Sequence, residues 1–266
     1  MRLLVRADDA GLCDAVNRAI AEVVTGGIAG NVSVMAPTPA FDQAAAMLLA
    51  LGADRTHVTA GLHVTLSSEW QSPRWGPILP ATDVPSLLDA SGCFFPSPAD
   101  LRATGRFDLD EAEAEVAAQL GKARTTGLEI RYLDEHMGVG RVLPGLGERL
   151  RDLARREALV YAPDLARLPP LTSASAGPGP DTDLADRIRA AEDGTYLMVT
   201  HPGIDTPELR AIRGVGYPDV GAVAAERDGD RRALLSADVR KACQDRGVTL
   251  ISYTDLDAVE VPAPPS

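Results

Sequence analysis

The stretch LLVRADDAG, residues 3–11, is an apolar run that ends in two adjacent carboxylates, Asp8 and Asp9. A short β-favouring run closed by Gly reads as a buried strand, which places the pair where that strand leaves the core. Capping of a following helix accounts for one carboxylate there and not for two. Directly afterwards, AVNRAIAEVV (15–24) sets Val16, Ile20, Val23 and Val24 on one helical face, with Asp14 as the expected N-cap and Gly26-Gly27 as the stop. The chain therefore opens with a strand followed by a helix.

The same alternation recurs along the chain. VSVMA (32–36), VTAGLHVTL (58–66), IRYLDEH (130–136), ALVYAP (158–163), TYLMVTHP (195–202) and VTLISY (248–253) bring the strand candidates to seven. Helical patterns lie between several of them, notably DLDEAEAEVAAQLGKAR (108–124), where Asp108 and Glu111 have capping-box spacing, and SADVRKACQDRG (236–247), capped by Ser236 and ended by Gly247. Strands alternating with helices imply parallel βαβ units in a sheet covered on both faces, as either a barrel or an open sheet. Two stretches break the rhythm: 67–106, which holds Trp70 and Trp75 among many Pro, Ser and Gly, and 163–180, rich in Pro, Gly, Ser and Ala. One domain over 1–260, with a disordered tail at 261–266, is the expected organisation.

Composition excludes several function classes. With Lys+Arg 26 against Asp+Glu 38 the net charge is −12, and without a basic stripe such a chain is repelled by phosphate backbones, so nucleic acid is not an expected partner. No apolar run approaches a membrane span, and Leu3 already belongs to the first strand, which leaves no room for a secretory signal. Cys13, Cys93 and Cys243 stand far apart with no CxxC pair, against both a zinc knuckle and a disulfide framework. A cytoplasmic protein is expected, and self-association as a homodimer is left open.

Three of the four histidines stand at or just after strand ends: His63 in GLHVT, His136 in LDEH and His201 in VTHPG. The fourth, His57, has no such company and reads as a surface residue. In parallel α/β proteins the carboxyl ends of the strands open onto one face, where active sites are built. Two imidazoles and a carboxylate converging there form a usual ligand set for a divalent cation with open positions. Taken singly, each strand-end histidine is as well explained by a structural hydrogen bond; three together with Asp8-Asp9 are not.

ADDAGLCDAVNRAI, GLHVTL, YLDEH, MVTHPG and LLSADVRKACQDRGVTLISYTDL, in this order, resemble the YdjC-type carbohydrate (chitooligosaccharide) deacetylases over nearly the whole chain. The resemblance implies a TIM-barrel-like (β/α) barrel of about seven mainly parallel strands. It also implies metal-assisted removal of an N-acetyl group from an amino sugar. By the same resemblance Asp9, His63 and His136 bind one divalent metal ion, Asp8 is the general base, and His201 is the general acid or electrostatic stabiliser. The family association is with Mg2+, and two His with one carboxylate suit Zn2+ or another transition metal equally. The partner expected is a small-molecule carbohydrate substrate.

The chain also departs from that family. YLDEHMGVG stands where HLDSHQHVH is usual, and RADDAG replaces NADDFG, so Arg6, Glu135, Gly138 and Gly140 occupy altered positions. Two glycines in place of histidines predict a wider, less polar site beside His136, and with it poor turnover of simple chitobiose-type substrates. Glu135 is accordingly a candidate substrate contact. Trp70 and Trp75 could stack on a sugar ring, although loop tryptophans also serve as anchors. Arg213 and Arg227, in the polar 205–232 segment, could reach an anionic or hydroxylated substrate, and both also read as surface charge. Two further readings stay open: a metal hydrolase for another ester or amide, and a binding barrel with a degraded site.

Overall fold

The computed structural model describes residues 1–53, 58–165, 168, 171 and 180–256. In chain order the elements are β1 (Arg2–Ala10), α1 (Asp14–Thr25), β2 (Asn31–Val34), α2 (Phe41–Ala53), β3 (Thr59–Val64), α3 (Pro98–Ala103), α4 (Leu109–Thr125), β4 (Ile130–Glu135), α5 (Val139–Val142), α6 (Leu146–Arg156), β5 (Val160–Tyr161), α7 (Pro180–Ala190), β6 (Thr195–Thr200), α8 (Pro207–Ala211), α9 (Ala222–Leu235), α10 (Ala237–Asp245) and β7 (Thr249–Ile251). All seven expected strands are present. His57, the 261–266 tail and most of the 163–180 loop lie outside the described residues.

Every strand pairing is parallel, in the order β5-β4-β3-β2-β1-β6, with β7 added to β1. β6 runs along β1 from Arg2 to Ala7, while β7 pairs with Arg2–Leu4 and β2 with Arg6–Ala10. Two strands cannot take the same edge at the same residues, so β7 and β2 share the edge opposite β6. Asn31 seals their junction, its amide donating to Val5 O (3.1 Å) and Ile251 O (3.2 Å) and accepting from Tyr253 N (3.2 Å). The result is an open, TIM-like barrel of parallel strands wrapped by helices, as the family resemblance implied.

Alternation along β1 separates two layers. Leu3, Val5 and Ala7 belong to the large core between sheet and helices, whereas Leu4 packs inside the barrel with Tyr132, Ala162, Leu165, Ile251 and Tyr253. Above this inner apolar plug the interior turns polar, beginning with Arg6 and Asp8 on the same face of β1 as Leu4. Gly61 in β3 is required by the plug: a Cβ there would lie 2.2 Å from the Tyr132 ring.

Local signals explain most boundaries. Asp108 caps α4 by accepting from Asp110 N and Glu111 N, and Ser236 caps α10. The N-cap of α1 is Cys13, not the expected Asp14, which is instead the first helical residue, where its charge favours the helix N-terminus. Within 67–106 the structure adds α3, started by Ser97 accepting from Asp100 N with Pro98 in the first turn. No helix among the described residues is long and apolar enough to cross a membrane.

Candidate active site

The carboxyl ends of β1, β3, β4 and β6 meet at a cavity of about 800 Å³, lined by residues that include Asp8, Asp9, His63, His136 and His201. β1 delivers both carboxylates by an irregularity. In a regular strand Asp8 and Asp9 would point to opposite faces; here they do not. Register with β2 shifts between Ala7 and Ala10, and Asp9 adopts φ 66, a left-handed conformation that Asp tolerates better than most residues. The bulge turns both side chains into the same cavity.

Asp9 Oδ1, His63 Nε2 and His136 Nδ1 form a nearly equilateral triangle, with separations of 3.5, 3.5 and 3.2 Å. Donors ~2.1 Å from a common cation stand ~3.0 Å apart at octahedral angles and ~3.4 Å apart at tetrahedral ones, so the triangle fits a divalent ion. Asp9 Oδ1 is buried without a hydrogen-bond partner among the described residues, while Asp9 Oδ2 accepts from Arg227 at 2.5 Å. One carboxylate oxygen is thus tied and the other is left for a cation.

Surrounding charges orient each imidazole. Asp134 Oδ1 lies 3.0 Å from His63 Nδ1, and Glu69 Oε2 lies 3.0 Å from His136 Nε2, so each ring turns its other nitrogen to the triangle. Arg6 donates to both oxygens of Asp8 (2.6 and 2.8 Å), reaches Asp134 Oδ2 (3.0 Å) and donates to Tyr253 OH (2.9 Å). Ser33 Oγ completes Asp134 by donating to Oδ2 at 2.9 Å. Four carboxylates, Asp8, Asp9, Asp134 and Glu69, face two guanidiniums, Arg6 and Arg227. With both imidazoles neutral, two formal negative charges remain, matching a divalent cation.

Burial works to raise the Asp9 pKa, yet Arg227, His136 and His63 outweigh it and hold the carboxyl well below its usual value. Burial disfavours imidazolium, but Asp134, Asp8 and Asp9 hold His63 well above the ordinary histidine value, and Glu69 with Asp9 raises His136 to about 9. A cation binding there would therefore displace protons at neutral pH, with affinity rising as pH rises. Calorimetric titration with Zn2+ at pH 7 in two buffers of different ionisation enthalpy should show proton release; equal heats in both buffers would contradict this protonation state.

His201 follows β6, where Asp230 of α9 accepts from its backbone N at 2.9 Å. Its ring is 46% exposed, with Nε2 4.0 Å from Asp8 Oδ2. The five expected site side chains, from four strand ends, are therefore brought to one place.

Other expectations change. Trp75 is 4% exposed, donates Nε1–H to Ser67 O at 2.8 Å and belongs to the core, so it anchors the loop and does not line the cavity. Trp70, 6% exposed, does line it and packs edge-on against Tyr217 at 5.9 Å. Arg213 is exposed and off the cavity, and only its backbone O, accepting from Gln71 N, ties the two loops. Arg227 is not surface charge: it is 7% exposed and bound to Asp9. Trp75→Ala should cost about 3–5 kcal/mol of stability, as for other buried Trp truncations. With folded protein, KM should stay within about twofold of wild type, since no substrate contact is removed. Urea unfolding and steady-state kinetics measure the two; a large KM rise at unchanged stability would restore Trp75 to the substrate surface.

The site beside His136 is also not the widened apolar space expected. A Cβ on Gly140 would lie 2.3 Å from Glu135 Oε1 and 3.0 Å from Gly147 Cα, so Glu135 and the α5–α6 contact fill that volume. Glu135 lines the cavity, accepts from Gly140 N (3.0 Å) and Tyr161 OH, and is pushed by burial above the usual carboxyl pKa against those bonds. Arg141 lines the same wall. That wall is charged.

Sequence reasoning passed over Glu69, and weighed Arg227 only as a substrate contact or surface charge, not as the partner of Asp9. Glu69 carried no periodic signal. Arg227 did: with Val223, Ala224, Asp230 and Leu234 it falls on the buried face of α9, where an unpaired charge is costly.

A family model described as YdjC-like protein matches residues 2–245. The chain belongs to the YdjC-like family. Among the relatives of this YdjC-like chain, a carbohydrate deacetylase of Brevibacillus brevis is 26% identical over 96% of this chain and 100% of its own length. A carbohydrate deacetylase of Geobacillus stearothermophilus is 28% identical over 95% and 97%. Among solved structures, an Enterococcus faecalis protein named for cellobiose-phosphate cleavage superposes with a TM-score of 0.72 at 22% identity, covering 96% of this chain and 98% of that one. The last likeness bears on the fold alone.

Proposed function

We propose that this YdjC-like chain is a metal-dependent hydrolase that removes the acetyl group from the nitrogen of an amino sugar. The observation that carries the reading is the triangle of Asp9 Oδ1, His63 Nε2 and His136 Nδ1 beside Asp8 and His201, in a chain whose relatives carry the name carbohydrate deacetylase. A divalent cation held by those three atoms would polarise the amide carbonyl and make an attacking water more acidic.

The chain's own residues do the rest. Asp8, fixed in one plane by the paired donors of Arg6, takes the proton from water as oxygen adds to the acetyl carbon. His201 Nε2 gives a proton to the amine nitrogen as the C–N bond breaks, leaving acetate and the free amino sugar. Its partial exposure lets it exchange protons with solvent between turnovers. The cavity volume lies in the ~300–1,000 Å³ range of small-ligand sites. Glu135 and Arg141 on one wall and Trp70 on the other are the substrate-side groups, and the charged wall sets substrate choice. All reacting groups are polar side chains at strand ends, as substrate variation by loops on a fixed barrel requires.

The test is acetate release from a panel of N-acetylated amino sugars by protein stripped with chelator and reloaded with Zn2+, Mn2+ or Mg2+. Metal-dependent release from at least one sugar is expected. Equal release by stripped and loaded protein would overturn the metal assignment, and no release with any metal would overturn the deacetylase reading.

A further inference from the structure

We propose that Arg227 is a catalytic residue, its free guanidinium nitrogen NH1 donating to the acetyl oxygen of the substrate as negative charge develops there. The inference rests on the deacetylase reading above and adds to it a donor for the oxyanion. Arg227 reaches the site from α9, far in sequence from the strand-end residues. It lines the cavity yet is 7% exposed. Its NH2 is held 2.5 Å from Asp9 Oδ2, which fixes the plane of the guanidinium against the carboxylate that faces the triangle. Its NH1 is buried and has no hydrogen-bond partner among the described residues.

A charged donor left unpaired in a protein interior is rare, because nothing replaces the water it gave up. Here the neighbouring carboxylates are already committed: Asp8 to Arg6, Glu69 to His136 and Asp9 Oδ2 to Arg227 NH2. The described residues therefore leave NH1 without an acceptor, and a substrate oxygen can supply one. Addition of water to an amide carbon converts its oxygen from a weak acceptor into an oxyanion, and a fixed donor is most effective where that charge appears. Asp9 links the two requirements. Its Oδ1 is the free oxygen of the triangle and its Oδ2 carries Arg227, so one carboxylate sets the guanidinium beside the place where the amide must lie.

Arg227→Lys separates donation from positioning, because an ammonium can still pair with Asp9 but lacks the second arm of the fork. In the zinc-loaded protein Arg227→Lys should keep zinc affinity within about threefold while kcat falls by about 10²–10³-fold, the loss seen when an oxyanion donor is removed. Affinity for acetohydroxamic acid, measured by calorimetry, should fall at least about tenfold. Arg227→Met should lose zinc affinity as well, since Asp9 is then unpaired. Retention of kcat and acetohydroxamate affinity in Arg227→Lys would overturn the proposal, as would a kcat loss that only tracks zinc occupancy. A wild-type protein that releases no acetate from any sugar would defeat the deacetylase reading alone, since the acetohydroxamate comparison still decides the donor. Should both variants fail to fold, a crystal structure of the zinc-loaded wild type with acetohydroxamate decides it. NH1 within ~3.2 Å of a ligand oxygen supports the proposal, and NH1 still unpaired overturns it.

Discussion

Asp8→Asn should lower kcat by about 10²-fold or more while leaving the cation stoichiometry unchanged, the pattern of a lost general base. Asp8 is 2% exposed, and both its oxygens accept from Arg6. Asparagine keeps the shape and one acceptor but cannot take a proton from water. The triangle of Asp9, His63 and His136 does not include Asp8, so cation content should hold, whereas His63→Ala should strip it. Elemental analysis of both variants beside steady-state kinetics separates these roles. Loss of the cation from Asp8→Asn as complete as that from His63→Ala would show that Asp8 is a ligand.

Arg6→Ala should cost about 3–5 kcal/mol of stability at neutral pH, as expected when one partner of a buried ion pair is removed. Arg6 is 8% exposed and balances Asp8 and Asp134 inside the barrel, while also holding Tyr253 OH. Burial works to raise the Asp134 pKa, but Arg6 and His63 outweigh it and hold the carboxyl below its usual value. A depressed carboxyl contributes stability that is complete above the unfolded pKa and fades as pH falls through the folded one. The gap between wild type and Arg6→Ala is therefore widest near neutrality and narrows in acid, where the orphaned Asp134 carboxyl protonates. Urea unfolding at several pH values reads this directly; a loss under about 1 kcal/mol, or a gap that widens in acid, contradicts it.

The strands were legible because each is an apolar run bounded by turn residues, and the histidines because parallel strands put their ends on one face. His63, His136 and His201 needed no long-range information beyond that. Asp9 was legible as a ligand candidate but not in its conformation: a bulge depends on how β2 meets β1, and nothing local to RADDAG encodes it. Glu69 escaped, and the pairing of Arg227 was missed, because their meaning lies in partners 67 and 218 residues away, His136 and Asp9. Gly140 misled in the opposite direction. A small residue was read as space, whereas the space belongs to Glu135 and to Gly147 on the next helix.

The placement of β1 has a consequence for how the chain comes to be made. Arg2, Leu3 and Leu4 pair with Thr249, Leu250 and Ile251, and Arg6 binds Tyr253 across 247 positions. The strand bearing both site carboxylates leaves the ribosome well before its partners β6 and β7, which follow it by about 190 and 245 positions. Until then a charged, half-paired strand must wait, and long-range closure of this kind slows folding and prolongs exposure to misassembly. The same delay acts as a safeguard. A nascent chain cut short before β7 leaves Arg6 without Tyr253 and the N-terminal half of β1 open along one edge, so incomplete copies lack the frame in which Asp8 and Asp9 become competent.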